Sequence, residues 1–285
     1  MWYLKKETIW LRNRTISDFQ SQNSKEKIEA IVVNSVARCS SYISWSTRSL
    51  IHSARAVFVF YFLLLPFEFI PMPNNIADIR KNYSQDNLTE QSADQDPIMQ
   101  FNKWWQDAVD AKIDEVNAMT LATASADGIP SARIVLLKEF SDNGFVFYTN
   151  YNSYKGKQLE ENPKACLVFF WKEMERQVRI TGIVQKVSGE ESDLYFHSRP
   201  AGSQIGATIS PQSNVIESRE WLEKQYANKE AAIKGSEVDR PDNWGGYKVK
   251  PVVIEFWQGR PSRLHDRLEY TLQENGSWKI ERLAP

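Results

Sequence analysis

Residues 118–149 read AMTLATASADGIPSARIVLLKEFSDNGFVFYT. Ala118–Ser125 and Ala132–Lys138 are strand-like runs separated by the Asp127-Gly128 turn signal, and Asp142-Asn143-Gly144 turns the chain again into Phe145–Thr149. Spacers this short join antiparallel neighbours, because a parallel crossover needs a dozen or more residues. Upstream, Pro97–Ile113 places Ile98, Phe101, Trp105, Ala108 and Val109 at helical spacing. Downstream, Ser153–Asn162 reads as a short helix stopped by Pro163, followed by strands Ala165–Trp171 and Gln177–Val187. Glu190–Ser198 and Ile216–Lys229 read as helices, and Val252–Trp257, Arg263–Leu272 and Trp278–Arg282 as strands. The pattern predicts a mainly β fold with peripheral helices, a closed antiparallel barrel of about seven strands.

Composition agrees with a folded chain. The 285 residues carry 35 Lys+Arg against 36 Asp+Glu, with 42% hydrophobic and 25% charged residues. That balance excludes a disordered chain and argues against a general nucleic-acid binder, which carries a basic surplus. Cys39 and Cys166 form no CxxC pair, so a disulfide scaffold and a cysteine-rich zinc site are excluded and a reducing compartment is expected.

The average hides a seam. Residues 1–71 hold nine Lys/Arg and five Asp/Glu, and every glycine lies at or after Gly128. The apolar run Ala56–Leu65 is too short for a membrane span, which needs about 20 apolar residues, and too deep for a secretory signal. The Arg/Ser-rich stretch resembles an organellar presequence, although Glu7, Asp18, Glu26 and Glu29 depart from that pattern. A start at Met72 would instead make residues 1–71 an upstream extension outside the fold. Both readings put the folded domain at 72–285.

Phosphate loops, zinc-protease motifs and nucleophile elbows are missing, and His197 and His265 are the histidines after residue 71, so no metal site is expected. What stands out is clustered cation and hydroxyl chemistry. Arg133 and Lys138 fall on opposite strand faces and suit two anions, or are ordinary strand-end cations. Tyr195, Arg199 and Ser203 recur every four residues, a reasonable phosphate pocket or a solvated helix end broken at Pro200 and Gly202. In Glu255–Arg267, Trp257 precedes a Gly-Pro loop, and Arg263, His265 and Arg267 alternate as on one strand face. Two arginines flanking a histidine require either an anionic ligand or a ladder of pairs with Glu255 and Glu269.

Seven segments occur in order: IADIRKNY (76–83), ARIVLLK (132–138), FVFYTN (145–150), ERQVRI (175–180), YFHSRPAGSQIGA (195–207), IEFWQGRPSRLHDR (254–267) and WKIERLAP (278–285). On these segments the chain closely resembles the pyridoxine/pyridoxamine 5′-phosphate oxidase family from about Ile76 to Pro285. The resemblance implies an FMN-binding split β-barrel, working as a homodimer with two flavins at the subunit interface. It implies oxidation of pyridoxamine and pyridoxine 5′-phosphates to pyridoxal 5′-phosphate, with dioxygen reduced to hydrogen peroxide. A non-catalytic flavin or pyridoxal-phosphate binder and a flavin reductase are the rivals.

By the same resemblance, FMN would be held by Arg133, Ile134, Val135, Leu136, Leu137 and Lys138, by Tyr148, Thr149, Lys155 and Gln177, and by Gln212, Ser213, Trp257 and Arg267. Lys138, Tyr195, Arg199 and Ser203 would take the substrate phosphate. Arg263 and His265, with Leu264 between them, would face the pyridine ring as the catalytic pair, and Arg80, Lys81, Asn82 and Tyr83 would close over it as a flap. Where the family commonly has Ser-Arg-Lys this chain has Ser153-Tyr154-Lys155, so one FMN-phosphate cation is replaced and weaker FMN retention is expected. A cytoplasmic location is expected, or a mitochondrial one if residues 1–71 act as a presequence; no membrane or nucleic-acid partner is expected.

Overall fold

The computed structural model describes Ile76 and residues 79–285. The expectations for residues 1–71 lie outside the described residues. Helix α1 (Pro97–Asp110) begins at Asp96, whose side chain accepts from the Ile98 and Met99 amides. It buries Ile98, Phe101, Trp104 and Ala108, while Val109 faces outward. The buried stripe therefore runs through Trp104 rather than centring on Trp105. Phe101 sits at the middle of an aromatic cluster, with ring centroids 4.9 Å from Phe140, 5.0 Å from Phe145 and 5.2 Å from Phe169.

Strands β1 (Ala118–Ala124), β2 (Pro130–Leu136), β3 (Glu139–Ser141) and β4 (Gly144–Asn150) precede helix α2 (Tyr154–Glu161). Then come β5 (Lys164–Trp171), β6 (Arg176–Lys186), α3 (Gly189–Ser198), α4 (Ala201–Ile209) and α5 (Arg219–Ile233). The chain ends with β7 (Trp244–Gln258), a short 3-10 turn at Pro261–Arg263, β8 (Asp266–Leu272) and β9 (Trp278–Arg282). Alternation is clear in β1, where Met119, Leu121 and Thr123 point inward.

Every strand pairing is antiparallel, in the order β2-β1-β5-β6-β7-β4-β3, with β9 on β8 and β8 on β7. β7 organises the whole. One edge pairs with β6 through 247–258, while the other pairs with β4 through 244–249 and with β8 through 253–258. Pro251, which lacks an amide donor, sits at the changeover. Opposite it, β6 bulges between Thr181 and Gly182, and a side chain on Gly182 would run into the Lys250 carbonyl. The barrel is thus split at β7 rather than closed as a ring: a mainly β split barrel with peripheral helices.

β3 and α4 are not expected from the sequence, and two strands begin elsewhere than expected. β7 starts eight residues before the expected Val252, because Gly245-Gly246 and Pro251 look like breakers, yet the glycines pair with β4 and Pro251 with β6. The expected strand Arg263–Leu272 begins only at Asp266, because Pro261 opens a tight turn in which Ser262 (φ 58°) and Arg263 (φ 62°) are left-handed. Arg263, His265 and Arg267 therefore do not alternate along one strand face.

Candidate active site

The expected site residues gather at two ends of β7. At the Trp244 end lies a buried cation. Lys155, 8% exposed, follows the Ser153 cap of α2 and donates from Nζ to Thr149 Oγ1 at 3.1 Å. Thr149 Oγ1 in turn donates to Gln212 Oε1 (3.1 Å), which also accepts from the Asn150 amide. Burial pushes the Lys155 pKa down, and the nearby Arg133 charge adds to the effect.

Arg133 on β2 donates to Leu121 O, to Thr123 Oγ1 (2.6 Å) and to Ser131 Oγ. Both hydroxyls lean on the Gln158 carbonyl of α2, a supporting residue that the sequence reading missed although it lies one turn beyond Lys155. Ile134, 65% exposed, and Leu136 face outward from β2, Val135 packs against the core and Leu137 is buried. Ser213 is exposed with a left-handed backbone (φ 70°) beside Gln212.

The adjoining expected phosphate group assembles on aromatic rings. Tyr148 stacks on Tyr195 at 3.9 Å, and both lie parallel to Trp244, a residue the sequence reading did not single out. Lys138 sits 5.9 Å over the Tyr195 ring, and the Arg199 guanidinium 4.7 Å over Trp244. Arg199 caps α3 and Ser203 lies in the first turn of α4, so Tyr195, Arg199 and Ser203 do not share one continuous helix. Arg199 Nη1 is buried and makes no hydrogen bond, and burial lowers the Arg199 pKa.

At the far end of β7, Gln177, Trp257 and Arg267 occupy one row across β6, β7 and β8. Arg267 donates to Glu255 Oε1 at 2.8 Å, so for this arginine the ladder reading holds. Trp257 lies 4.6 Å from His265, and Tyr83 meets both rings edge-on at 5.7 Å. Arg80, Lys81, Asn82, Tyr83, Arg263 and His265 line a cavity of about 570 Å³. Leu264 is exposed beside it.

His265 Nδ1 accepts the Arg260 amide at 3.1 Å, so in the neutral ring the proton is assigned to Nε2, which is left to donate. Burial first, then the Arg263 charge, pushes its pKa down. We expect a histidine NMR titration to give a midpoint below that of a free imidazole, with the Nε2–H tautomer above it. A midpoint at or above the free value would contradict this environment.

The buried charges show what the site lacks. Glu175, Arg176 and Glu255 are buried in ion pairs, whereas buried Lys155 meets only a hydroxyl. Among the described residues no carboxylate pairs with Lys155 or with half-buried Arg133 and Arg199, nor with Lys138 and Arg263, which are exposed and solvated. An uncompensated buried cation is costly, and an anionic ligand removes the cost. Fold and site together define a split-barrel protein with a cluster of cations lacking carboxylate partners at one end of β7 and an aromatic-walled cavity at the other.

Comparison with known proteins gives this class a family. A model described as pyridoxamine 5′-phosphate oxidase matches residues 105–229, and one for the pyridoxine 5′-phosphate oxidase C-terminal dimerisation region matches 244–285. A pyridoxine/pyridoxamine 5′-phosphate oxidase from Nostoc sp. is 56% identical over 214 residues, covering 75% of this chain and all of that protein. Its counterpart from Flavobacterium johnsoniae is 54% identical, covering 74% and 99%. Among solved structures, PhzG from Burkholderia lata, in complex with tetrahydrophenazine-1-carboxylic acid, aligns with TM-score 0.66 at 31% identity, covering 70% of this chain and 98% of its own. A related FMN-binding protein from Nostoc punctiforme, at 16% identity and TM-score 0.51 over 64% of this chain and 97% of its own, supports the fold alone. The chain belongs to the pyridoxine/pyridoxamine 5′-phosphate oxidase family.

Proposed function

We propose that the chain is an FMN-dependent oxidase acting on pyridoxamine 5′-phosphate and pyridoxine 5′-phosphate. Each substrate loses two electrons and gives pyridoxal 5′-phosphate; dioxygen becomes hydrogen peroxide, and the amine also releases ammonia after taking up water. The observation that carries this reading is buried Lys155 with half-buried Arg133 and Arg199, none of which has a carboxylate partner among the described residues. FMN, when bound, supplies the electron acceptor that the polypeptide lacks and passes electrons to dioxygen.

The chain's own residues bind and orient. Arg133 and Lys155, with Thr149, Gln212 and Ser213 alongside, fit the FMN phosphate: a planar fork and a point charge already desolvated for an anion. Lys138, Tyr195, Arg199 and Ser203 would take the substrate phosphate, using binding energy remote from the reacting carbon to align it. His265 would donate from Nε2 to an oxygen on the pyridine ring. Arg263 would set a positive charge against the reacting substituent, and Tyr83 and Trp257 would exclude water from it.

The two ends of β7 are separated by roughly 40 Å of strand contour. A second copy that brings its Trp257 end beside the first copy's Trp244 end would unite both groups around one ligand. We therefore place the site at a homodimer interface, a reading the dimerisation-region match supports, with exposed Ile134 and Leu136 as available apolar surface.

The test is direct. Purified protein should be yellow and, given pyridoxamine 5′-phosphate in air, should form pyridoxal 5′-phosphate and peroxide in equal amounts. A colourless protein that stays inert with added FMN overturns the reading, flavin without turnover favours the non-catalytic alternative, and a monomer in light scattering overturns the shared site. We place the enzyme in the cytoplasm, or in mitochondria if residues 1–71 act as a presequence; sequencing the mature N-terminus decides. No helix among the described residues is long and apolar enough to cross a membrane.

A further inference from the structure

Three remote segments converge on one carboxylate. Glu175, 1% exposed, ends the turn between β5 and β6 in a left-handed conformation (φ 55°). Its Oε2 accepts the Ser84 amide at 2.7 Å and the Gln85 amide at 3.1 Å, and its Oε1 pairs with Lys81 Nζ at 3.1 Å. Its carbonyl accepts the Gly259 amide at 2.7 Å, joining this turn to the end of β7. A side chain on Gly259 would come within 2.8 Å of the Tyr83 ring and 2.9 Å of Glu175, so only glycine lets the three segments close this tightly. Between Lys81 and Ser84 sits Tyr83, edge-on to Trp257 and His265 in the cavity wall.

Little else holds residues 81–85. Asp86 is tied to Arg176 (2.8 Å), and its carbonyl to Arg260 (2.9 Å), which anchors the end of the segment but not Tyr83 itself. We propose that Glu175 is a positioning residue for the cavity: its carboxylate is the latch that holds Lys81–Gln85 across the Trp257–His265 wall and so keeps Tyr83 over the substrate. This rests on the oxidase reading for the identity of the substrate, but the latch itself does not. Glu175 acts through the Ser84 and Gln85 amides and the Lys81 ammonium that it holds.

Chymotrypsin reads the latch without any ligand, because it cuts after Tyr83 only when the segment lifts, at a rate following the open population. In cofactor-free Glu175→Gln, which keeps the shape but loses the charge, cleavage after Tyr83 should rise about tenfold. In the FMN-loaded variant, KM for pyridoxamine 5′-phosphate should rise about tenfold with kcat and flavin content within about twofold, a split that a general loss of folding would not give. Lys81→Gln leaves the β5–β6 turn untouched and should move both readouts about two- to threefold in the same direction. Cleavage after Tyr83 within twofold of wild type in both variants overturns the latch. Raised cleavage in a protein that oxidises no pyridoxine or pyridoxamine phosphate upholds the latch and overturns the oxidase reading instead.

Discussion

Replacing Arg263 by leucine should cut kcat by roughly 10²- to 10³-fold, the usual effect of removing a preorganised electrostatic group from a reaction centre. Bound flavin should stay at the wild-type level, because Arg263 is assigned to the substrate ring and not to the FMN phosphate that Arg133 and Lys155 would hold. The substitution is clean on the backbone side. Arginine at φ 62° already bears the left-handed strain, and leucine bears much the same, so the turn itself is not relieved. It is also clean electrostatically, since no carboxylate in the described residues is left unpaired when Arg263 goes. The His265 pKa should rise towards its ordinary value as the Arg263 repulsion disappears, although burial still holds it down. Arg263→Lys keeps the charge without the fork and should recover part of the rate. An unchanged kcat in Arg263→Leu would remove this residue from the chemistry.

How much of this was legible beforehand differs by element. Strands with one wet and one buried face announce themselves by alternation, as in β1 and β2, and the glycine turns between them set the antiparallel pairing. β7 was legible only in its second half. Its first half contains Gly245-Gly246 against the Tyr148 and Tyr151 rings, so what reads as a loop signal is a demand for space. The split also escaped local reading, because it arises from one strand changing partners at Pro251, a non-local event. The site was legible mainly through family motifs. From spacing alone, Arg263, His265 and Arg267 formed one face, whereas the tight turn at Pro261 parts Arg263 from a strand that begins three residues later. Gln158 and Glu175 carried no local signal at all. Each acts across a long stretch of chain, Gln158 on the hydroxyls that hold Arg133 and Glu175 on the segment before α1.

The buried lysine offers the sharpest separation of binding from stability. Lys155→Met should weaken FMN binding by about 10- to 100-fold, the cost of one hydrogen bond to a charged group. The same change should raise the melting temperature of the cofactor-free protein. Without an anion, the ammonium is buried beside a hydroxyl and repelled by Arg133, and both burial and that repulsion hold its pKa down. Methionine has similar reach and no charge, and Thr149 keeps its bond to Gln212, so no buried polar group is orphaned. The sign follows from linkage. A lysine with a lowered folded pKa costs stability at neutral pH, and the cost fades as pH rises through that pKa towards the ordinary lysine value. The advantage of Lys155→Met in the cofactor-free form should therefore shrink in that alkaline window, while the wild type should regain the lead wherever FMN is in excess. Paired melting curves with and without FMN check both halves. A variant that binds FMN as tightly as wild type would take Lys155 out of the phosphate site, and one that melts lower without cofactor would mean the ammonium is not the uncompensated charge that the phosphate is proposed to neutralise.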